Sequence, residues 1–285
     1  MQKRINKLVY SVWTAPSGGD ILKKARNWHS PQAQLYCLAL SVLKGAEHFD
    51  KVEVVTDTAG AMILKALGLP MNIKTSLDRL DDKYSDFWAL GKIIAYEEQN
   101  EPFMHLDFDA VLFDGLPDYA HQADVFVQNI EDKNWFQDAY MGEVRHASKT
   151  LEYFPPLWNE VHEAYCMGIF GGHNTEFIKE YCEEAKKFVY DKRNEAGWAK
   201  ITNHGSYCIV FEQYILALMC AHKGIEVTYF DKFLNKERLE QMGYLHIWGA
   251  KKSAHLTERL KKKLISLYPR QASRLIPVIE KASNG

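Results

Sequence analysis

The segment "PFMHLDFDAVLF", residues 102–113, places two acidic residues inside an otherwise apolar run. Such a run is typical of a strand that is buried on both faces, as in a parallel sheet. Asp107 and Asp109 are two residues apart, so on an extended strand their side chains share one side. Buried carboxylates are costly unless a positive charge compensates them. We therefore expect a lysine or a metal ion beside this pair, or else a structural role in which the acids cap neighbouring backbone amides.

The sequence on either side of this segment predicts an α/β fold. Over the first 115 residues, strand-like runs alternate with helix-like runs whose apolar residues recur every three or four positions. This alternation favours a mostly parallel sheet flanked by helices. The predicted strands are residues 7–16, 51–57, 102–113, 123–128, 164–172 and 225–230, and the predicted helices are residues 31–46, 59–70, 85–99, 175–192 and 210–224.

Composition narrows the class of protein. The chain has 285 residues, 47% of them hydrophobic, and a formal net charge of -2, which gives no support to nucleic-acid binding through bulk charge. We see neither a signal-peptide pattern nor an apolar run long enough to span a membrane, and we therefore expect a cytoplasmic protein. The five cysteines include no CxxC pair, which favours reduced core residues over a disulfide framework or a zinc site.

The C-terminal segment differs from the rest in charge. Residues 251–285 contain nine basic and two acidic residues. Within them, leucines recur at helical spacing from Leu256 to Leu267, which predicts a basic helical tail over residues 256–285. We favour a helix that packs on the body with a solvated basic face. The alternative is peripheral contact with an anionic membrane surface or a lipid-linked acceptor.

The two acids suggest a divalent cation. In a parallel sheet, ligands bind beyond the carboxyl ends of the strands, and hard cations prefer oxygen ligands. Asp107 and Asp109 are therefore candidate ligands of Mn²⁺ or Mg²⁺. "LDFDAVLFD" also resembles the first motif of haloacid-dehalogenase-type phosphatases, in which the first Asp attacks phosphorus and the second handles protons. Against that alternative, residues 1–101 precede the motif, Ala110 replaces the usual Gly, and no GDxxxD loop follows.

A second motif near the C-terminus decides between these alternatives. "HIWGAKK", residues 246–252, resembles the HxxGxxK motif of glycosyltransferase family 8, which includes glycogenin and bacterial lipooligosaccharide galactosyltransferases. The resemblance implies a GT-A-like fold, that is, a Rossmann-like sheet in a nucleotide-binding half (residues 1–115) followed by an elaborated acceptor half (residues 116–255). It also implies that His246 is the third protein ligand of Mn²⁺ and that Gly249 and Lys252 hold the diphosphate.

The chemistry of the motif agrees with these roles. An imidazole suits Mn²⁺, a glycine lets the backbone approach a phosphate closely, and a lysine offsets the charge of a departing diphosphate. The resemblance is to the fold and to the metal and phosphate motifs of the family rather than to one member. The chain also resembles a small group of bacterial GT-A-like proteins that share the "HLDFD" arrangement.

Other matches to family 8 are partial. "FEQYILAL" resembles the DQD segment, with Glu212 and Gln213 in the first two places and Tyr214 in place of the second Asp. The resemblance implies that Gln213 lies under the donor sugar, which makes it our catalytic candidate. The alternative is that Gln213 is a helix residue whose side chain is hydrogen-bonded to backbone. Glu212 is the candidate general base of an inverting route. Lys92 corresponds to a basic residue that contacts the acids and the donor sugar, unless it is simply solvated.

Six further residues complete the predicted site. "GIFGGHN", residues 168–174, resembles a strand and turn that face the acceptor, so Gly171 and Gly172 would leave room for a sugar ring and His173 would hydrogen-bond it. Cys166 stands where the family usually has an Asn. The remaining three residues are placed beside the nucleotide. Trp13 and Thr14 follow the first strand, and the alternative for Trp13 is packing in the core. Asp57 ends the second strand, and its alternative role is to cap the next helix.

Together these features predict a metal-dependent, hexosyltransferase-type enzyme. It would transfer a sugar from a UDP-sugar to the hydroxyl of a carbohydrate or lipid-linked acceptor, with retention of configuration. The alternatives are a phosphatase that uses Asp107 and Asp109, and an inactive nucleotide- or sugar-binding protein of the same fold. The departures at Cys166 and Tyr214 keep the last alternative open.

Overall fold

The structure is a computed structural model that describes residues 4–21, 27–154, 161–247 and 249–282. It divides into two compact units. The first unit comprises Asn6–Asp82, Leu106–Leu116 and Glu240–Gly285, and the second comprises Met1–Ile5, Lys83–His105 and Pro117–Leu239. The predicted fold class is confirmed, since the fold is α/β with a seven-stranded, mostly parallel central sheet flanked by helices.

The first unit holds three parallel strands, β1 (Lys7–Val12), β2 (Lys51–Thr56) and β3 (Asn72–Lys74), in the order β3-β2-β1. Helices α1 (Pro31–His48) and α2 (Thr58–Leu67) connect them. Local sequence explains where α1 begins, because Ser30 Oγ accepts a hydrogen bond from the amide of Ala33 at 3.1 Å and Pro31 follows directly. Helix α2 ends at Gly68 in the left-handed region (φ 59°).

The acidic segment departs from the prediction. Residues 102–113 form two strands, β4 (Phe103–Leu106) and β5 (Ala110–Leu112), with a turn between them in which Ala110 N donates to Asp107 O at 2.9 Å. The expectation that both acids lie on one extended strand is therefore wrong. The physical reason is that β5 leaves the direction of β4 to pair antiparallel with β9 (Tyr244–His246) in a separate two-stranded sheet.

The second unit holds the other strands of the large sheet in the order β4-β7-β6-β8. Strand β6 (Val125–Ile130) is antiparallel to β7 (Tyr165–Gly172) and parallel to β8 (Val227–Tyr229). Tyr96 and Phe170 pack in its core with ring centres 4.7 Å apart. The helices in this part of the chain are α3 (Leu90–Glu97), α4 (Lys133–Trp135), α5 (Met141–Thr150), α6 (Thr175–Tyr190), α7 (Glu195–Trp198), α8 (Ile215–Lys223) and α9 (Lys236–Gln241).

Two of the predicted helices differ in detail. The predicted helix 85–99 is helical only over α3, since residues 85–89 form turns or irregular structure and the helix ends at Glu97. The predicted helix 210–224 starts with a π-helical turn, Val210–Tyr214, before α8 continues it. A second π-helical turn, Phe136–Tyr140, precedes α5. Turns of this kind insert an extra residue into a helix and are frequent at functional sites.

The C-terminal residues of the first unit form α10 (Leu256–Leu267) and α11 (Pro269–Ala282). Helix α10 contacts α1, and its buried residues Leu256, Leu260 and Leu264 lie on one helical face. None of the helices in the described part of the chain combines the length and the apolar character needed to cross a membrane.

Candidate functional site

Three potential metal ligands come together in the first unit. One ligand atom from each of Asp107, Asp109 and His246 lies within 4.8 Å of the other two. His246 Nε2 is 3.5 Å from Asp109 Oδ2. The predicted proximity of this imidazole to the two acids is therefore confirmed. Two carboxylates and an imidazole form a donor set that can hold a divalent metal ion, so the residues present fit such an ion.

The backbone register of the small sheet creates this proximity. Ala110 on β5 pairs directly with His246 on β9, and Ile247 N donates to Asp109 O at 2.9 Å. The acids lie on the turn that leads into β5, so the pairing of the two strands brings the imidazole to them. Gly243 adopts a positive φ of 72° just before β9, a conformation that glycine accepts without strain.

A lysine that the sequence analysis did not single out completes the cluster. Lys251 Nζ contacts Asp109 Oδ2, and the Asp109 side chain is only 5% exposed. Burial alone raises the pKa of the Asp109 carboxyl, but His246 and Lys251 outweigh burial and hold that pKa well below its usual range. Asp109 is therefore ionised at neutral pH. The sequence signal for Lys251 is the "KK" pair at the end of the motif, because the side chain of either lysine is long enough to reach the acids.

The two predicted diphosphate residues lie nearby in the chain and are open to solvent. Gly249 is exposed, and a Cβ added there would have no atom within 4 Å. Lys252 is exposed as well. Trp248, which belongs to the same motif, lies outside the described residues. Phosphate binding by Gly249 and Lys252 stays a prediction.

The residues predicted beside the nucleotide are tied to one another. Thr14 donates to Asp57 Oδ2 through its backbone amide at 2.8 Å and through its hydroxyl at 2.7 Å. Asp57 Oδ1 accepts from the amide of Gly60 at 2.8 Å and thereby caps α2. Both carboxylate oxygens of Asp57 thus have structural partners, as the capping alternative expects. Trp13 is partly exposed, and contact of these residues with a nucleotide stays a prediction.

The second unit contains a buried ion pair between two predicted site residues. Lys92 Nζ lies 2.8 Å from Glu212 Oε1, with the side chains 14% and 0% exposed. The ammonium of Lys92 also lies 5.7 Å from the centre of the Trp88 ring. Lys92 is therefore not a solvated surface lysine. Glu212 lies on the π-helical turn Val210–Tyr214, and a proton taken up by its carboxylate would remove the negative charge that pairs with Lys92.

Gln213 is held by a neighbouring tyrosine. Its Oε1 accepts a hydrogen bond from the hydroxyl of Tyr140, which also lies 3.3 Å from Glu131 Oε1. Burial and the charge of Glu131 raise the pKa of Tyr140 well above its usual value, so the hydroxyl keeps its proton. Tyr140 thus fixes which end of the Gln213 amide faces it. This contact is with a side chain rather than with backbone.

Backbone occupies the space beside the two predicted acceptor glycines. A Cβ on Gly171 would lie 2.1 Å from Phe103 O, and one on Gly172 would lie 2.1 Å from Asp124 O. The strand packing of the second unit therefore requires glycine at both positions. His173 donates from Nε2 to the carbonyl of His121 at 2.8 Å. Contact of these three residues with an acceptor stays a prediction.

Three solved structures that resemble the chain are distant from it in sequence. No curated protein matches the chain. Mouse xyloside xylosyltransferase 1 in its apo form is 12% identical, with 86% of this chain and 93% of that chain covered and a TM-score of 0.42. Galactosyltransferase LgtC in complex with donor and acceptor sugar analogues is 10% identical, with 92% of this chain and 96% of that chain covered and a TM-score of 0.43. The inositol-1-phosphate CTP transferase from T. maritima is 12% identical, with 93% of this chain and 98% of that chain covered and a TM-score of 0.39.

A protein-family model matches nearly the whole chain. The match covers residues 6–278 and so includes Asp107, Asp109, His246 and Lys251. The similarity to glycosyltransferase family 8 is carried by short motifs and stays a resemblance. The chain belongs to DUF6734, a family of unknown function.

Proposed function

We propose that the chain is a metal-dependent glycosyltransferase that moves a hexosyl group from a UDP-sugar to an acceptor hydroxyl with retention of configuration. The observation that carries this proposal is the cluster of Asp107, Asp109 and His246, whose ligand atoms lie within 4.8 Å of one another. The order of the motifs adds support, because an Asp-x-Asp turn precedes an HxxGxxK segment in the chain.

The three residues of the cluster would hold Mn²⁺ or Mg²⁺. The ionised Asp109 carboxylate and the neutral form of the His246 imidazole have the lone pairs that such an ion requires. When bound, the ion supplies Lewis-acid assistance to the departing nucleotide diphosphate. Asp107 and Asp109 would hold that ion through carboxylate oxygens, and His246 would hold it through an imidazole nitrogen.

The exposed end of the HxxGxxK segment suits phosphate binding. Gly249 has open space where a side chain would begin, so its backbone can approach phosphate oxygens. Lys252 is exposed and can place its ammonium on the same group. We assign the diphosphate of the donor to these two residues, and its nucleoside to Trp13, Thr14 and Asp57.

We assign sugar handling to five further residues. Gln213, oriented by Tyr140, is the catalytic candidate that contacts the reacting sugar. Lys92 is the candidate donor-sugar contact, while Gly171, Gly172 and His173 are the candidate acceptor contacts. The ion pair of Glu212 with Lys92 supports a route in which Glu212 is not the general base.

Calorimetric titration with UDP tests the metal-dependent part of the proposal. We expect UDP to bind more tightly with Mn²⁺ than without it and the Mn²⁺ effect to disappear in Asp109→Asn. Asp118→Asn is the matched control, since Asp118 is an exposed aspartate outside the cluster. UDP binding that is the same with and without Mn²⁺, in the wild type and in Asp109→Asn alike, contradicts the proposal.

Turnover assays separate the proposal from its alternatives. We expect slow release of UDP from a UDP-hexose without acceptor, and loss of that release in Gln213→Ala. Metal-dependent UDP binding without any such release indicates an inactive nucleotide-binding protein. Release of phosphate from an aryl phosphate, with none from UDP-sugars, indicates the phosphatase.

We further propose that the protein is cytoplasmic and that its basic tail packs on the body with a solvated basic face; contact of the tail with an anionic membrane surface or a lipid-linked acceptor is the alternative. Lys262 and Lys263 are exposed on α10, and Ile265 is 45% exposed on the same helix. We expect equal sedimentation with anionic and neutral vesicles. Preferential cosedimentation with anionic vesicles that is weakened in Lys262→Glu but not in Lys200→Glu would favour the membrane alternative.

A further inference from the structure

Lys251 lies inside the carboxylate cluster rather than at its edge. Its ammonium contacts Asp109 Oδ2, the same oxygen that lies 3.5 Å from His246 Nε2. The Asp109 residue is 4% exposed, so protein groups rather than bulk water solvate its charge. A lysine therefore already contacts one carboxylate of the candidate metal site.

The surroundings of Lys251 hold it in this position. Its ammonium lies 5.7 Å from the centre of the Trp28 ring, and Trp28 in turn stacks on Phe108 with ring centres 6.4 Å apart. The backbone carbonyl of Lys251 accepts a hydrogen bond from His29 N at 2.7 Å. Lys252, the next residue, is exposed to solvent. The two adjacent lysines thus differ sharply in their environment.

We propose that Lys251 is a resident counter-ion of Asp109 and that a divalent cation binds to the cluster by displacing the Lys251 ammonium. This inference rests on the proposed metal site. An ammonium and a divalent ion that share one carboxylate oxygen repel each other, and that oxygen cannot serve both fully. The lysine has a flexible four-carbon stem, so its ammonium can leave Asp109 without movement of the backbone.

The displacement couples two binding events. The released ammonium carries one positive charge close to the cluster and is then available to the phosphate oxygens of a nucleotide diphosphate. Without a metal, Lys251 neutralises Asp109 and keeps the buried carboxylate compensated. The same residue thus stabilises the metal-free cluster and lowers the affinity of the cluster for metal.

Titration of Mn²⁺ into the wild type, Lys251→Met and Lys252→Met tests this competition. Because metal binding to Lys251→Met no longer requires displacement of a cation, we expect this variant to bind Mn²⁺ at least about tenfold more tightly than the wild type. Lys252→Met should stay within about twofold of the wild type, since its lysine is exposed and screened by solvent. Equal Mn²⁺ affinity in the wild type and Lys251→Met overturns the proposed competition between Lys251 and the metal but does not contradict the proposed metal site. Absence of Mn²⁺ binding in all three proteins overturns both.

A measurement on the wild type does not depend on the folding of a variant. Acetylation of lysines can be followed by mass spectrometry with and without saturating Mg²⁺. We expect Lys251 to react slowly without Mg²⁺ and several-fold faster with it, because its ammonium leaves the ion pair with Asp109. The rate at Lys252 should not change. An acetylation rate at Lys251 that Mg²⁺ leaves unchanged, or lowers, overturns the proposal.

Discussion

His246 stands directly opposite Ala110 in the antiparallel pair of β5 and β9, and this register places its Nε2 3.5 Å from Asp109 Oδ2. A slip of one residue in that pair would turn the imidazole to the other face of the small sheet. Each of the two strands has only three residues. The ligand set therefore depends on a short stretch of backbone pairing.

Removal of the imidazole is expected to weaken metal binding. His246→Ala deletes one of three protein ligands, and we expect its affinity for Mn²⁺ to fall by at least about 100-fold. Isothermal titration with Mn²⁺ measures this change. His222→Ala is the matched control, because His222 is exposed at the end of α8. Wild-type Mn²⁺ affinity in His246→Ala would show that the imidazole is not a ligand.

Gly171 is expected to be required for stability. An added Cβ would lie 2.1 Å from Phe103 O, so Gly171→Ala forces strand backbones apart and should lower the free energy of unfolding by about 3 kcal/mol. Gly142→Ala is the control, because Gly142 is exposed in α5 and the methyl group of an alanine there would have no atom within 4 Å. That change should raise stability by about 0.5 to 1 kcal/mol. Urea denaturation measures the free energy of unfolding of both variants. Equal changes in Gly171→Ala and Gly142→Ala would contradict the close packing at Gly171.

Local patterns explain why much of the first unit could be predicted. Strand β2 is rich in β-branched residues, and α1 begins at a serine cap followed by a proline. These signals act over a few residues and need no knowledge of the rest of the chain. The resemblance of residues 246–252 to a known motif then pointed to the imidazole, whose position the structure confirms.

The remainder depends on contacts between distant residues. The turn at Asp107 exists because β5 pairs with β9, and an apolar run contains no signal for where a strand changes partner. Lys251 and Lys252 are chemically identical neighbours, so only the backbone path determines which one reaches Asp109. Lys92 looks like a solvated helix residue until Glu212, far along the chain, is seen beside it.

The ion pairs of Glu53 are expected to make stability depend on pH. Glu53 is buried on β2, with Lys7 Nζ at 3.2 Å and Lys74 Nζ at 2.9 Å from its carboxylate oxygens. Burial alone raises the pKa of Glu53, but Lys74 and Lys7 outweigh burial and lower it. A lowered folded-state pKa means that this contribution is complete above the unfolded-state pKa of about 4.3 and is lost as the pH falls through the folded-state value.

We therefore expect Glu53→Gln to be less stable than the wild type at neutral pH and the difference to shrink as the pH falls below about 4. Urea denaturation over a series of pH values measures it. Glu237→Gln, at an exposed position of α9, should change the free energy of unfolding little at any pH. A difference for Glu53→Gln that grows on acidification would have the wrong sign for this explanation.

The buried pair of Lys92 and Glu212 provides the last prediction. Glu212→Gln leaves the Lys92 ammonium without its carboxylate at a site where Glu212 is 0% exposed, and we expect a loss of about 3 kcal/mol in the free energy of unfolding. The exposed pair of Lys223 and Glu180 is the control, and Lys223→Met should cost less than about 1 kcal/mol. The double variant Lys92→Met/Glu212→Leu should recover part of the loss, because it removes both buried charges. Additive effects of Lys92→Met and Glu212→Leu, each also measured as a single variant, would show that the pair is not coupled, and Glu212 would then again be a candidate general base.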